Sequence, residues 1–77
     1  MNEERVEVVA YAGYREEESP RALTIDGKRV EVRKVLDRWT EEDRETGKRR
    51  RCFKVKGDDF RTRVVCCDEA GTWYCRS

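Results

Sequence analysis

Ala22–Trp39, ALTIDGKRVEVRKVLDRW, decides the fold. Two β-patterned runs, Ala22–Ile25 and Lys28–Leu36, meet at Asp26-Gly27. That dipeptide supplies the successive positive φ angles of a two-residue hairpin turn better than almost any other. The second run then changes phase. Val30 and Val32 share one face, Lys34 interrupts it, and Val35 falls off the alternation. A one-residue slip in a period-2 pattern turns every later side chain to the other face unless a bulge absorbs the extra residue. Bulges let a short sheet curl on itself, so the pattern predicts a strongly bent sheet or a barrel.

The flanking sequence repeats the theme. Val6–Ala12 (VEVVAYA) reads as a first strand and Gly13–Arg21 as a loop punctuated by Ser19-Pro20. Arg51–Lys56 alternates with Phe53 and Val55 on one face, and Gly57-Asp58-Asp59 reads as a turn. Phe60, Thr62, Val64 and Cys66 then share a face, and Thr72–Cys75 closes the chain as a short strand. Thr40–Gly47 is predicted to be a loop with room for one short helical turn, Thr40 at its N-cap and Gly47 at its end. The prediction is one all-β domain over 1–77, a small antiparallel sheet or barrel of five to six strands.

Composition bounds the function. A chain of 77 residues supports one modest core, because it buries only about 60% of its unfolded surface. Charged residues make up 45% of it, yet 18 basic and 17 acidic side chains leave a net charge of +1. A nucleic-acid-binding domain ordinarily shows a clear basic excess. There is no histidine, so the usual general base at neutral pH is missing, and no catalytic residue and no enzyme activity are expected. The charged N-terminus lacks a signal-peptide core, and no apolar run approaches the ~20 residues of a membrane helix. The expectation is a cytoplasmic protein with mostly reduced thiols and no membrane contact.

With these residues laid out, the chain resembles a family of short, uncharacterised bacterial cytoplasmic proteins that carry a domain of unknown function. The resemblance rests on the Asp26-Gly27 hairpin, Leu36-Asp37-Arg38-Trp39, Phe53-Lys54-Val55 and a closing Asp68…Trp73. It implies the fold, and since the family has no established activity it implies little about function. The pattern usually carries Asp-Gly in the turn after the Phe-Lys-Val strand, whereas this chain has Gly57-Asp58-Asp59-Phe60.

Three constellations are candidates for a site. Cys52, Cys66, Cys67 and Cys75 lack the paired spacing of structural zinc, and adjacent Cys66 and Cys67 point to opposite strand faces, so neither a metal nor a cofactor is expected. If Ala70-Gly71 were a two-residue turn, Cys66 would lie opposite Cys75, the one candidate disulfide. The run Lys48, Arg49, Arg50, Arg51 is a candidate binding loop, with Trp39 as a candidate exposed aromatic; Glu41, Glu42, Asp43 and Glu45 stand ready to neutralise the run. Trp73 reads as core. The leading expectation is a non-enzymatic module that binds a protein partner. The alternatives are a weak nucleic-acid-binding module using the basic loop and Trp39, and a cysteine-based metal or redox-responsive domain.

Overall fold

Alternation of apolar and charged residues builds six strands in a computed structural model that describes residues 3–12 and 18–76. They are β1 (Glu3–Ala12), β2 (Glu18–Ile25), β3 (Lys28–Glu42), β4 (Arg49–Gly57), β5 (Thr62–Cys67) and β6 (Trp73–Arg76). Each runs antiparallel to the next, and β1 also pairs with β6, which closes the sheet into a barrel. No helix forms among the described residues, and so none there is long and apolar enough to cross a membrane.

The barrel interior is filled by Leu23, Phe53, Val55, Val65, Cys67 and Trp73, with Val6, Val8, Ile25, Val32, Val35 and Cys75 packed against them. Phe53 and Trp73 meet at 5.7 Å between ring centroids, tilted by 33°. Trp73 is therefore core, as its pattern predicts. Asp26 and Gly27 take φ values of 50° and 76° and close the hairpin at Ile25–Lys28. The phase change in β3 is two bulges, where Arg33 and Leu36 have no partner on β4. They bring Val32 and Val35, three positions apart, to the interior.

Several boundaries differ from the sequence expectation. β2 begins at Glu18, so Ser19 and Pro20 belong to a strand; the register steps there from Val9–Ala22 to Ala10–Pro20, a bulge of the kind that accommodates proline. Residues 13–17 of the expected loop lie outside the described residues. β3 does not end at Leu36 but continues to Glu42, and β4 starts at Arg49. The expected helical turn is absent. Glu41 lies opposite Arg50 and Glu42 opposite Arg49, and such opposite-charge pairs stabilise an antiparallel ladder. Asp43 caps the hairpin loop instead of a helix: its carboxylate accepts from the amides of Glu45 at 2.8 Å and Thr46 at 3.4 Å. Phe60 is not on β5 but in the turn before it. Thr62, Val64 and Cys66 do share a face, and it is the outer one, since Val65 and Cys67 point inward.

Candidate functional site

Two regions carry chemistry. The first lies on the outer face, where a row of directly paired residues runs across five strands: Trp39, Cys52, Cys66, Tyr74 and Arg5. Cys52 and Cys66 form a disulfide with a Cα separation of 4.1 Å. Although both face away from the core, their exposure is 0%. Charged side chains from neighbouring rows make the cover. Arg76 donates through Nε to Glu3 at 2.9 Å and through both terminal nitrogens to the Glu41 carboxylate. Arg50 donates to Glu3 at 3.0 Å and lies 3.9 Å from Glu41. Trp39 Nε1–H donates to Glu41 at 2.8 Å. The Arg76 hydrogen bonds, then that of Trp39, hold the Glu41 carboxyl down at about 2. Arg50 and then Arg76 lower Glu3 likewise.

The candidate pairing of Cys66 with Cys75 is therefore incorrect: Cys66 is bonded to Cys52, so two of the four cysteines are oxidised where mostly reduced thiols were expected. The β5–β6 connection is longer than a two-residue turn. Asp68 organises it, accepting at its carboxylate from Ala70 N at 3.0 Å and Thr72 N at 2.9 Å. The register that results places Cys66 opposite Tyr74 and Cys75 opposite Val65. Cys75 thus points inward and keeps its thiol, and buried Cys67 likewise takes no part in the disulfide. Burial pushes the Cys75 thiol pKa up. Glu41, Cys52 and Cys66 place one ligand-type atom each within 4.8 Å of one another. With the sulfurs bonded together and Glu41 held by Arg76, this cluster offers no thiolate to a cation.

The basic run does not form a continuous cationic loop. Lys48 is exposed in the turn, and its amide donates to Thr46 Oγ1 at 3.3 Å. Arg49 is exposed, reaches Glu42 at 3.4 Å and donates from its amide to Glu69 at 2.8 Å. Arg50 turns to the outer face and joins the cover over the disulfide. Arg51 turns the other way, opposite Thr40 and Cys67. The structure thus brings Trp39 and Arg50 together through Glu41 and leaves Lys48 and Arg49 apart from them. Trp39 is half-buried.

The second region is the β4–β5 turn, which sequence reasoning passed over. Phe60 is 74% exposed and adopts φ 65°, a left-handed conformation that a bulky side chain strongly disfavours. The turn is held from every side. Gly57 N donates to Arg61 O at 2.9 Å, Phe60 N to Gly57 O at 3.0 Å, and Asp58 N to Glu31 O of β3 at 2.8 Å. Arg63 forks onto Asp59 at 3.0 and 2.6 Å, and this guanidinium holds the Asp59 carboxyl at about 2. Gly57 itself allows close packing, since a Cβ there would sit 2.6 Å from Val30 Cγ1. The Lys56 ammonium lies 6.0 Å from the Phe60 ring centroid. Beside the turn, a groove of about 550 Å³ separates it from the Asp26-Gly27 hairpin, lined in part by Lys28, Arg29 and Arg61 and by Asp26 and Asp58. The signal for this site was a turn, Gly57-Asp58-Asp59-Phe60, that ends on an aromatic residue rather than on a glycine. The left-handed position that a glycine ordinarily fills is occupied by an aromatic residue.

No protein-family model, curated protein or solved structure matches the chain.

Proposed function

We propose that the protein is a non-enzymatic interaction module that docks a protein partner at the Phe60 end of the barrel. The observation that carries this reading is Phe60 itself: an exposed aromatic held in a left-handed conformation by a turn that is hydrogen-bonded to both its neighbouring strands. Such a conformation costs about 1–2 kcal/mol for an L-residue. Strain of this kind persists where function needs a side chain in one place. A rigid, solvent-facing aromatic is also the type of residue that anchors protein interfaces. The adjacent groove interleaves both signs of charge, which supports a partner that presents both signs.

A nucleic-acid reading finds some support in the pairing of Lys34 with Lys56 beside Phe60, a cationic and aromatic surface on which a base stacks. Asp26 and Asp58 in the neighbouring groove oppose a phosphate backbone. The test is a pull-down with the wild-type protein and with Phe60→Ser, each with and without nuclease. A protein captured by the wild type alone and retained after nuclease supports the proposal. Capture lost to nuclease, with tight binding of single-stranded DNA or RNA at physiological salt, reverses the order of the two readings.

A further inference from the structure

β3 is paired with β4 from Val32 to Glu42, but with β2 only from Lys28 to Glu31. Beyond that point β2 turns to β1, and a cleft of about 330 Å³ opens between Ser19–Arg21 and Val32–Val35. Among the described residues, the edge of β3 from Arg33 to Glu42 therefore has no strand partner. A free strand edge is a template for another strand. This one carries its own selectivity. It is basic at one end (Arg33, Lys34) and acidic at the other (Glu41, Glu42), with Leu36 exposed at 43% between them.

We infer that this edge pairs with the same edge of a second copy of the chain, antiparallel, about a two-fold axis at Arg38. The register follows from charge and from the bulge. On the β4 side, Leu36 and Asp37 together occupy one ladder position. With that count, directly opposite residues share a face. Val35 meets Thr40 of the second copy on the inner side, and Lys34 meets Glu41 on the outer side. The Leu36–Asp37 bulge meets Trp39, which covers the exposed leucine. Arg33 meets Glu42. A two-fold axis makes each of these contacts twice. Bulges and charges on an edge otherwise discourage indiscriminate pairing. Here they admit a strand of reversed polarity, and β3 is such a strand for itself. The register also carries one like-charge meeting, Arg38 against Arg38 at the axis.

The inference is independent of the Phe60 reading, and the test separates them. Sedimentation of the full chain across about 1–500 µM should show a reversible monomer–dimer equilibrium. Arg33→Glu and Glu42→Arg should each weaken the dimer about tenfold, because two attractive cross-strand pairs become repulsive. An equimolar mixture of the two variants should recover dimer. One end of the mixed dimer then sets the introduced acid against the introduced base, and the other keeps the native pair of Arg33 with Glu42. Arg38→Gln should strengthen the dimer, a result that only this register requires. Phe60→Ser should leave it unchanged. A wild type that stays monomeric throughout, a mixture that fails to recover dimer, or an Arg38→Gln variant that weakens it overturns the inference.

Discussion

Arg76 on β6 and Glu41 on β3 clasp each other across the outer face, over two strands that lie between them. The Glu41 carboxylate stands within 4.8 Å of both sulfurs of the Cys52–Cys66 disulfide. The apolar crosslink is thus kept from water by ion pairs rather than by hydrophobic side chains. Carboxylates bonded to guanidinium groups in this way are among the stronger hydrogen-bonded contacts a surface offers. Glu41 ties together β3, β6 and, through Arg50, β4. The contact therefore links strands that the ladder alone joins only through their neighbours.

Acid should dissolve this clasp in a defined window. Glu41 has an ordinary value of 4.5 and is held at about 2 in the fold; Asp59 drops from 3.8 to about 2. Both folded values lie below the unfolded ones, so the folded state binds fewer protons. The stability they contribute is complete above pH 4.5 and is lost as pH falls toward 2. Glu41→Gln should cost about 1 kcal/mol at neutral pH, a figure reduced for partial exposure, and almost nothing near pH 2. Thermal melts of both proteins at a series of pH values check this; curves that stay parallel down to pH 2 would contradict it.

The disulfide should contribute substantially to stability. It closes a segment of 14 residues, for which loop closure predicts about 3 kcal/mol, or roughly 12–24 °C in melting temperature for a domain of this size. Cys52→Ala/Cys66→Ala should show that loss, and unreduced wild type unfolded in denaturant should titrate as two thiols, Cys67 and Cys75. Four thiols would refute the pairing.

The arginine run should split by residue. Arg49→Ser should be neutral within about 0.5 kcal/mol, because Arg49 is exposed and its pair with Glu42 is long. Arg50→Ser removes a partner from Glu3 and Glu41 and opens the cover. It should speed reduction of the disulfide by a phosphine about fivefold, equivalent to about 1 kcal/mol of lost protection. Equal reduction rates for the two variants would show that Arg50 does not guard the sulfurs.

Turn chemistry and alternation made the barrel legible. Asp26-Gly27 fixed one hairpin, the misplaced Val35 announced the bulges, and Phe53, Val55 and Trp73 marked the core. The ends of β3 and β4 were opaque because Thr40–Glu42 and Arg49–Arg51 contain no apolar residue to show a period. What shows them as strands is their ladder, which sets Glu41 opposite Arg50 and Glu42 opposite Arg49, a relation between segments rather than within one. The partner of Cys66 was hidden for a related reason. It depends on β4, and the position of β6 depends on how many residues Asp68 gathers into its turn. Burial of an outward-facing cysteine cannot be read from strand phase at all, since the cover comes from Glu3, Glu41, Arg50 and Arg76 on four different strands.

Gly57 should resist even the smallest side chain. A methyl group there would meet Val30 Cγ1 at 2.6 Å and Asp59 Oδ1 at 2.8 Å. Val30 is buried and stiff, and Asp59 is fixed by Arg61 N and by Arg63. Neither yields cheaply, so Gly57→Ala should destabilise by about 1–3 kcal/mol, as overpacking does elsewhere. Denaturant unfolding measures this directly, and an unchanged midpoint would mean that the turn is not clamped as described.

Phe60 should show the opposite sign. Replacing it by glycine removes a side chain that packs on little but Lys56 and relieves the left-handed conformation. The relief is about 1 kcal/mol, offset in part by the greater freedom of glycine in the unfolded chain. Phe60→Gly should therefore be as stable as the wild type or up to about 1 kcal/mol more so, while losing the partner found by pull-down. Phe60→Ala keeps the strained backbone without the ring, and should lose binding with no gain in stability. A Phe60→Gly protein that is clearly less stable would make the aromatic ring a structural element and remove the reason for placing the docking surface there.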